Sequence, residues 1–411
     1  MTQVTDNWNF FMGHDPNALV QQFGSPLYVY NEHIFRKRCH EMKALATYHK
    51  FRVNYAMKAN SNLSLLKIAR EEGLCIDASS QGEVLMALAA GFLPEEILFI
   101  ANNISPEEMR FAVDNHVLLS VDSLSQLNTF GSMFPGARIA LRFNTGIGAG
   151  HHAKVVTGGD DTKFGITLDL INDVKKLLAM HQLKLVGINH HIGSQYVEAH
   201  YLEGIRALLD LALSFEQLEF VDFGGGFYIP YHKQEGERHQ SLVNVGLAID
   251  AQMSHFNVKY GRELICMIEP GRYIAAECGV LLGTVHAVKN VGPNKYAGTD
   301  MGFSVFARMA LYDAHHDVEV YVKDARATEI INVVGDQCES GDYIAAKRRL
   351  PMLKNDDVLG VLDVGAYGYS MSSQYNLRPR PAEVLITSSG ALKLIRRADT
   401  YTSMLENMQG L

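Results

Sequence analysis

Eight short apolar runs separated by longer amphipathic stretches constrain this chain more than any other feature. The runs read as strands near 51–57, 75–78, 97–101, 117–121, 137–143, 184–190, 218–223 and 264–269. Between them apolar residues recur at helical spacing, as in Leu65, Leu66, Ile68 and Ala69, and again in Val84, Leu85, Leu88 and Ala89. Ser105 is followed by a proline and two glutamates, which supply a cap, a residue preset for the first helical position and acids in the first turn. Such alternation is the pattern of βα units around a parallel sheet. A closed (β/α)8 barrel and an open doubly wound sheet both satisfy it. The run ends favour the barrel. Lys58, Asp77, Asn102, Asp122, Arg142, His191, Gly224 and Glu269 lie at or just after successive ends. A barrel gathers these ends at one face, where active sites are built, whereas an open sheet strings them along an edge.

After Arg272 the pattern changes to short β-like runs with turn residues, at 280–288, 318–323, 328–334, 359–364 and 383–387. The expected organisation is a barrel over 26–275, with 1–25 and 276–411 forming a mainly β second domain. The segment Pro26–Tyr30 is itself strand-like and suits either pairing with the β domain or entry into the barrel. Two connections, the glycine-rich 145–165 and the polar 227–242, are long enough to suggest function.

Composition excludes several classes. The chain has 411 residues, and its 37 Lys and Arg against 45 Asp and Glu give a net charge of −8, which argues against a broad nucleic-acid-binding surface. No apolar run is long enough to span a bilayer, and the first 15 residues lack a basic patch followed by an apolar run. The five cysteines are scattered and form no C-x-x-C pair, so zinc ribbons and redox motifs are unsupported and a reducing, cytoplasmic setting is expected.

Five motifs carry chemistry. Tyr55-Ala-Met-Lys-Ala-Asn60 sets Lys58 at a strand end between apolar neighbours. Desolvation there would lower the amine's pKa and make it a nucleophile toward an aldehyde cofactor, although a solvated lysine is the commoner case. Phe223-Gly-Gly-Gly-Phe227 follows the seventh strand, where a glycine run lets backbone N–H groups approach a phosphate. Glu269-Pro-Gly-Arg272 follows the eighth. Its two charges are either a plain ion pair or an acid for a pyridinium nitrogen with a cation for an anion. His190 and His191 are adjacent, so on a strand they point to opposite faces and do not share a metal ion. One of them stacking on a flat cofactor is the better use, and no metal is expected. Cys338-Glu-Ser-Gly-Asp342 places two acids beside a thiol, which should keep it protonated, as an acid catalyst requires.

Taken with DASSQGE (77–83), TKFG (162–165), HIGSQ (191–195), RMALY (308–312), GAYGYSMSSQYN (365–376) and RPRPAEVL (378–385), these motifs resemble, in order, the fold-type III pyridoxal-phosphate-dependent decarboxylases. The likeness runs from about Gly24 to about Leu385. It implies an alanine racemase-like fold, pyridoxal 5'-phosphate as cofactor and a homodimer with shared active sites. It also implies residue roles. Lys58 would hold the cofactor covalently, His191 would stack on its ring and Glu269 would pair with the ring nitrogen. Ser194, Gly225, Gly226, Arg272 and Tyr367 would surround the phosphate or the substrate. Cys338 would be the proton donor.

Within that family the resemblance is to the branch acting on diaminopimelate, which carries an amino-acid head at each end. Arg272, Arg308 and Tyr312 would bind the far carboxylate, and Glu339 the far ammonium. Two arginines suit a carboxylate, whereas lysine or ornithine would present a bare ammonium there. A relative acting on lysine, ornithine or carboxynorspermidine is the alternative. A racemase of the same barrel class would place an arginine, rather than Glu269, at the ring nitrogen. A non-catalytic homologue would be expected to lack Lys58 or Cys338.

Overall fold

The computed structural model describes residues 3–148, 157–159, 162–194 and 198–409. They form two compact units. One comprises Arg38–Ile229 and His239–Ile274, the other Met1–Lys37, Pro230–Arg238 and Ala275–Leu411. Residues 26–37 and 230–238, expected with the barrel, therefore belong with the β unit.

The first unit is a closed parallel barrel. Its strands are β1 (Phe51–Ala56), β2 (Cys75–Ala78), β3 (Ile97–Ile100), β4 (Leu118–Val121), β5 (Arg138–Asn144), β6 (Lys184–Asn189), β7 (Phe220–Asp222) and β8 (Ile265–Ile268). Each pairs with the next, and β8 closes on β1 with Cys266 opposite Phe51. A further two-residue strand, Ile166–Thr167, pairs with β5. The interior is filled by side chains rather than left as a pore. Leu98, Ile100, Ala140, Val186, Phe220 and Met267 form one cluster in it. Gly187 makes room there, because a Cβ on it would lie 2.0 Å from the Phe220 ring.

The helices follow the sequence signals closely where a cap is present. In Leu63–Glu71 the Asn62 side chain accepts from the Ser64 N–H, and Leu65, Leu66, Ile68 and Ala69 are all buried. Pro106–Asp114 begins with a reciprocal capping box between Ser105 and Glu108. Gln81–Ala89 departs from expectation. Val84 and Ala87 are its buried residues, while Leu85 is 50% exposed. That helix is apolar on several faces, so periodicity alone does not select the docked one.

The second unit is a nine-stranded sheet. Its long strand Gly279–Val291 pairs antiparallel with Leu27–Asn31, Asn294–Thr299 and Val358–Leu362. Leu27–Asn31 also pairs parallel with Ala382–Ile386, which settles the segment's assignment to the β unit. Pro230–Arg238 is pinned into this unit by ions. The buried Lys233 ammonium lies 2.8 Å from Glu277 and 2.5 Å from Asp363. Burial alone would lower its pKa, but those two acids outweigh burial and raise it. Among the described residues no helix is long and apolar enough to cross a membrane.

Candidate active site

The carboxyl ends of the barrel strands converge as the sequence suggests. Lys58 sits on a single 3-10 turn, Met57–Ala59, directly after β1. Its Nζ lies 3.7 Å from Asp77 Oδ2 at the end of β2. The Lys58 side chain is 42% exposed, so the expected desolvation by apolar neighbours is replaced by exposure and an acidic partner. Asp77 is buried, and burial raises its pKa against the opposing charges of Lys58 and Arg142. Glu83, on the following helix, is raised to about 7 by burial despite accepting from the Ser79 N–H.

Across the mouth, His190 and His191 do take different environments. His190 is buried, and burial, helped by the Arg142 charge, lowers its pKa to about 3. His191 is held well below its ordinary value by burial and by the charges of Lys58 and Arg142, so it is neutral. Its Nδ1 accepts from the Gly225 N–H at 3.1 Å, which leaves the ring proton on Nε2. Gln195, from the same motif, lies outside the described residues, as do 149–156 and 160–161 of the 145–165 connection.

The glycine run after β7 is required by packing as well as by any ligand. A Cβ on Gly225 would meet the Glu269 carbonyl oxygen at 2.1 Å, and Gly224 and Gly226 have φ of +68° and +102°. The Gly224 N–H donates to Asp222 Oδ1 at 2.9 Å. Two of the three glycine N–H groups thus serve the protein itself, a use that the motif alone does not reveal. The Glu269 N–H returns a hydrogen bond to the Gly224 carbonyl at 3.0 Å, locking the ends of β7 and β8 together. Arg272 donates to Ser194 Oγ at 2.8 Å, joining the ends of β8 and β6.

Three acids, Asp77, Asp222 and Glu269, are buried here together with Arg142. Burial raises Glu269 well above the usual carboxylate range, with Asp222 and Asp77 adding to it, and raises Asp222 to about 7. Glu269 Oε1, Asp77 Oδ1 and Arg142 Nη2 have no hydrogen-bond partner among the described residues. Leaving a buried polar atom unpaired costs about 1–3 kcal/mol. So many at one strand-end face mark a site shaped for a polar, charged ligand. The residues fit pyridoxal phosphate: an amine at Lys58, a flat neutral imidazole at His191, an acid with an open oxygen at Glu269 and a cation at Arg272. Sequence reasoning gave Asp77, Asp222 and Arg142 no role; all three lie at strand ends, and Asp77 also opens the DASSQGE motif.

The remaining expected residues lie in the β unit. Arg308 begins the helix Arg308–Tyr312 and is 2% exposed. Tyr367 has a left-handed φ of +57°. Cys338 is exposed, and its N–H donates to Asn376 Oδ1 at 3.0 Å. Glu339 accepts from the Tyr375 hydroxyl. Asp342 fixes this loop by accepting from the N–H groups of Phe303 and Gln337. His232, Glu235 and His315 place ligand atoms within 4.8 Å of one another. Arg348 Nη1, however, lies 3.0 Å from His315 Nε2, and its positive charge opposes a metal ion there.

A strand-end lysine, a buried acid for a ring nitrogen and a glycine cradle, on a barrel followed by a β unit, define a barrel-type pyridoxal-phosphate decarboxylase. The family model described as "Pyridoxal-dependent decarboxylase, pyridoxal binding domain" matches residues 32–276. The chain is 38% identical to the diaminopimelate decarboxylase of Methanothermobacter thermautotrophicus, covering 98% of this chain and 96% of that one. It is 34% identical to that of Escherichia coli, with 94% of each covered. A crystal structure of diaminopimelate decarboxylase superposes with a TM-score of 0.90 at 32% identity, covering 98% of this chain and 99% of that one. The Helicobacter pylori enzyme complexed with L-lysine gives 0.84 at 29%, covering 94% and 98%. The chain belongs to the diaminopimelate decarboxylase family.

Proposed function

We propose that this chain removes one carboxyl group from meso-2,6-diaminopimelate with the aid of pyridoxal 5'-phosphate, giving L-lysine and CO2. The observation that carries this is the buried Glu269 carboxylate, with an oxygen unpaired, in the same strand-end mouth as Lys58. When bound, pyridoxal phosphate supplies a sink for the electron pair that the departing carboxyl group leaves behind. Lys58 supplies the amine that tethers the aldehyde, and Asp77, with Oδ2 3.7 Å from its Nζ, orients it. Glu269 holds a proton at the ring nitrogen. Neutral His191, oriented by Gly225, offers a flat face without adding charge. Arg272, Ser194 and the Gly226 N–H serve the phosphate or the substrate, and Tyr367 acts with them.

Arg272, Arg308 and Tyr312 recognise the carboxylate of the head that does not react, and Glu339 its ammonium. Cys338 donates the proton to the carbon that has lost CO2. Its exposure, together with the family pattern, supports a homodimer in which Cys338 and Glu339 serve the other copy's site, and the free, scattered cysteines support a cytoplasmic setting. The test is CO2 release from meso-diaminopimelate beside L-lysine, L- and D-ornithine and carboxynorspermidine. Preference for diaminopimelate is expected, and faster release from any of the others would overturn the substrate assignment.

A further inference from the structure

The chain leaves the barrel unit after Ile229, enters the β unit for Pro230–Arg238 and then returns to the barrel unit. Nothing in the barrel's topology requires this excursion, yet it is held at several points. Lys233 is clasped by Glu277 and Asp363. The Gln234 N–H donates to Asp317 Oδ2 at 2.9 Å, and its side chain donates to the Val318 carbonyl at 3.0 Å. Glu237 Oε2 accepts from the N–H groups of both Tyr231 and His232, at 2.8 and 2.7 Å. Buried ion clusters are weak stability devices but can fix a conformation. The conformation fixed here is that of Tyr231. Its ring packs edge-on against His316 at 4.7 Å, and that imidazole is tied through Nδ1 to the Leu362 carbonyl at 2.7 Å.

Tyr231 in turn holds Arg308, whose Nη1 donates to its hydroxyl at 2.7 Å. Arg308 is only 2% exposed, so this bond is made in the interior. A carboxylate would bind the arginine more strongly but would neutralise it. A phenol is a neutral acceptor, so this bond holds one guanidinium nitrogen in place without itself neutralising the positive charge. Both properties are what a two-point grip on a ligand carboxylate needs. We propose that Tyr231 is a positioning residue that orients Arg308 for the non-reacting amino-acid head and so sets specificity for substrates that carry one. This rests on the assignment of Arg308 to the distal carboxylate.

The test uses the pyridoxal-phosphate-loaded enzyme with Tyr231→Phe, which removes one oxygen and keeps the ring, beside Arg308→Ala. L-Lysine is diaminopimelate less one carboxyl group, so it retains the intact head, whereas cadaverine has no carboxylate. Tyr231→Phe is expected to raise KM for diaminopimelate and the inhibition constant of L-lysine about tenfold each, the scale of a lost hydrogen bond to a charged group. The kcat should stay within about twofold, and inhibition by cadaverine should be unchanged. Equal weakening of L-lysine and cadaverine would show a merely structural role and overturn the inference. So would an unchanged L-lysine constant while Arg308→Ala separates the two inhibitors. If Arg308→Ala itself fails to separate them, the distal-carboxylate assignment falls and the inference with it.

Discussion

Replacing Gly225 by alanine tests how closely the loop after β7 must approach the end of β8. The new Cβ would lie 2.1 Å from the Glu269 carbonyl oxygen and 3.0 Å from its carbonyl carbon. Both are backbone atoms, so no rotamer change relieves the overlap. Restoring van der Waals contact moves one backbone past the other by about 1 Å, and a misplacement of that size costs on the order of 100-fold in rate. The shift acts on three groups at once: the Gly225 N–H bond that orients His191, the carboxylate of Glu269, and the Glu269 N–H bond to Gly224. Gly225→Ala is therefore expected to lose about 100-fold in kcat and to bind pyridoxal phosphate more weakly, with far-ultraviolet circular dichroism retained. Gly261→Ala is the control. It also has a positive φ, +81°, but nothing lies within 4 Å of its Cβ position, so it should lose only about 1–3 kcal/mol of stability and no cofactor affinity. Cofactor titration and steady-state turnover measure both. Wild-type affinity and turnover in Gly225→Ala would refute the packing argument.

His190 gives a pH prediction. Its folded pKa of about 3 lies below the ordinary 6.5, so above pH 6.5 it is neutral in both states and contributes nothing. As pH falls below 6.5 the unfolded chain takes up a proton that the folded chain refuses until about pH 3, which removes on the order of 1.4 kcal/mol of stability per pH unit. His190→Gln should flatten this loss, so its urea midpoint should fall less than the parent's between pH 7 and pH 5; parallel falls would contradict the assignment. Cys338→Ala should still release CO2 but protonate the product slowly or with lost stereochemical control, as read by deuterium incorporation from D2O. Normal turnover with normal stereochemistry would remove the donor role.

The barrel was legible because eight buried strands read as eight apolar runs and their polar ends as a common rim. The β unit was less so. Tyr343–Pro351 carries Lys347, Arg348 and Arg349, and Asn294–Thr299 is largely polar, so neither resembles a buried strand, although both pair in the sheet. The excursion at 230–238 has no apolar signature at all. Its attachment depends on Lys233 meeting two acids more than 40 residues away in sequence, a contact that only the fold creates. In the site, Lys58, His191 and Glu269 were marked by their motifs. Asp77 opens the DASSQGE motif but its role was not legible, because its effect on Lys58 arises from the pairing of β1 with β2, which sets Ala56 beside Asp77. The glycine run suggested phosphate contacts, yet two of its N–H groups are taken: Gly224 donates to Asp222, two residues before it, and Gly225 donates to His191, which lies close only once β6 and β7 are adjacent.

The most direct measurement is the visible absorption spectrum of the purified protein loaded with pyridoxal phosphate, recorded for the parent and for Lys58→Ala. The parent is expected to show the band of a covalently held aldehyde cofactor, dependent on this one amine, and the variant to lose both the band and diaminopimelate turnover. An unchanged band in Lys58→Ala, or a parent protein that remains colourless on loading, would contradict the account at its centre.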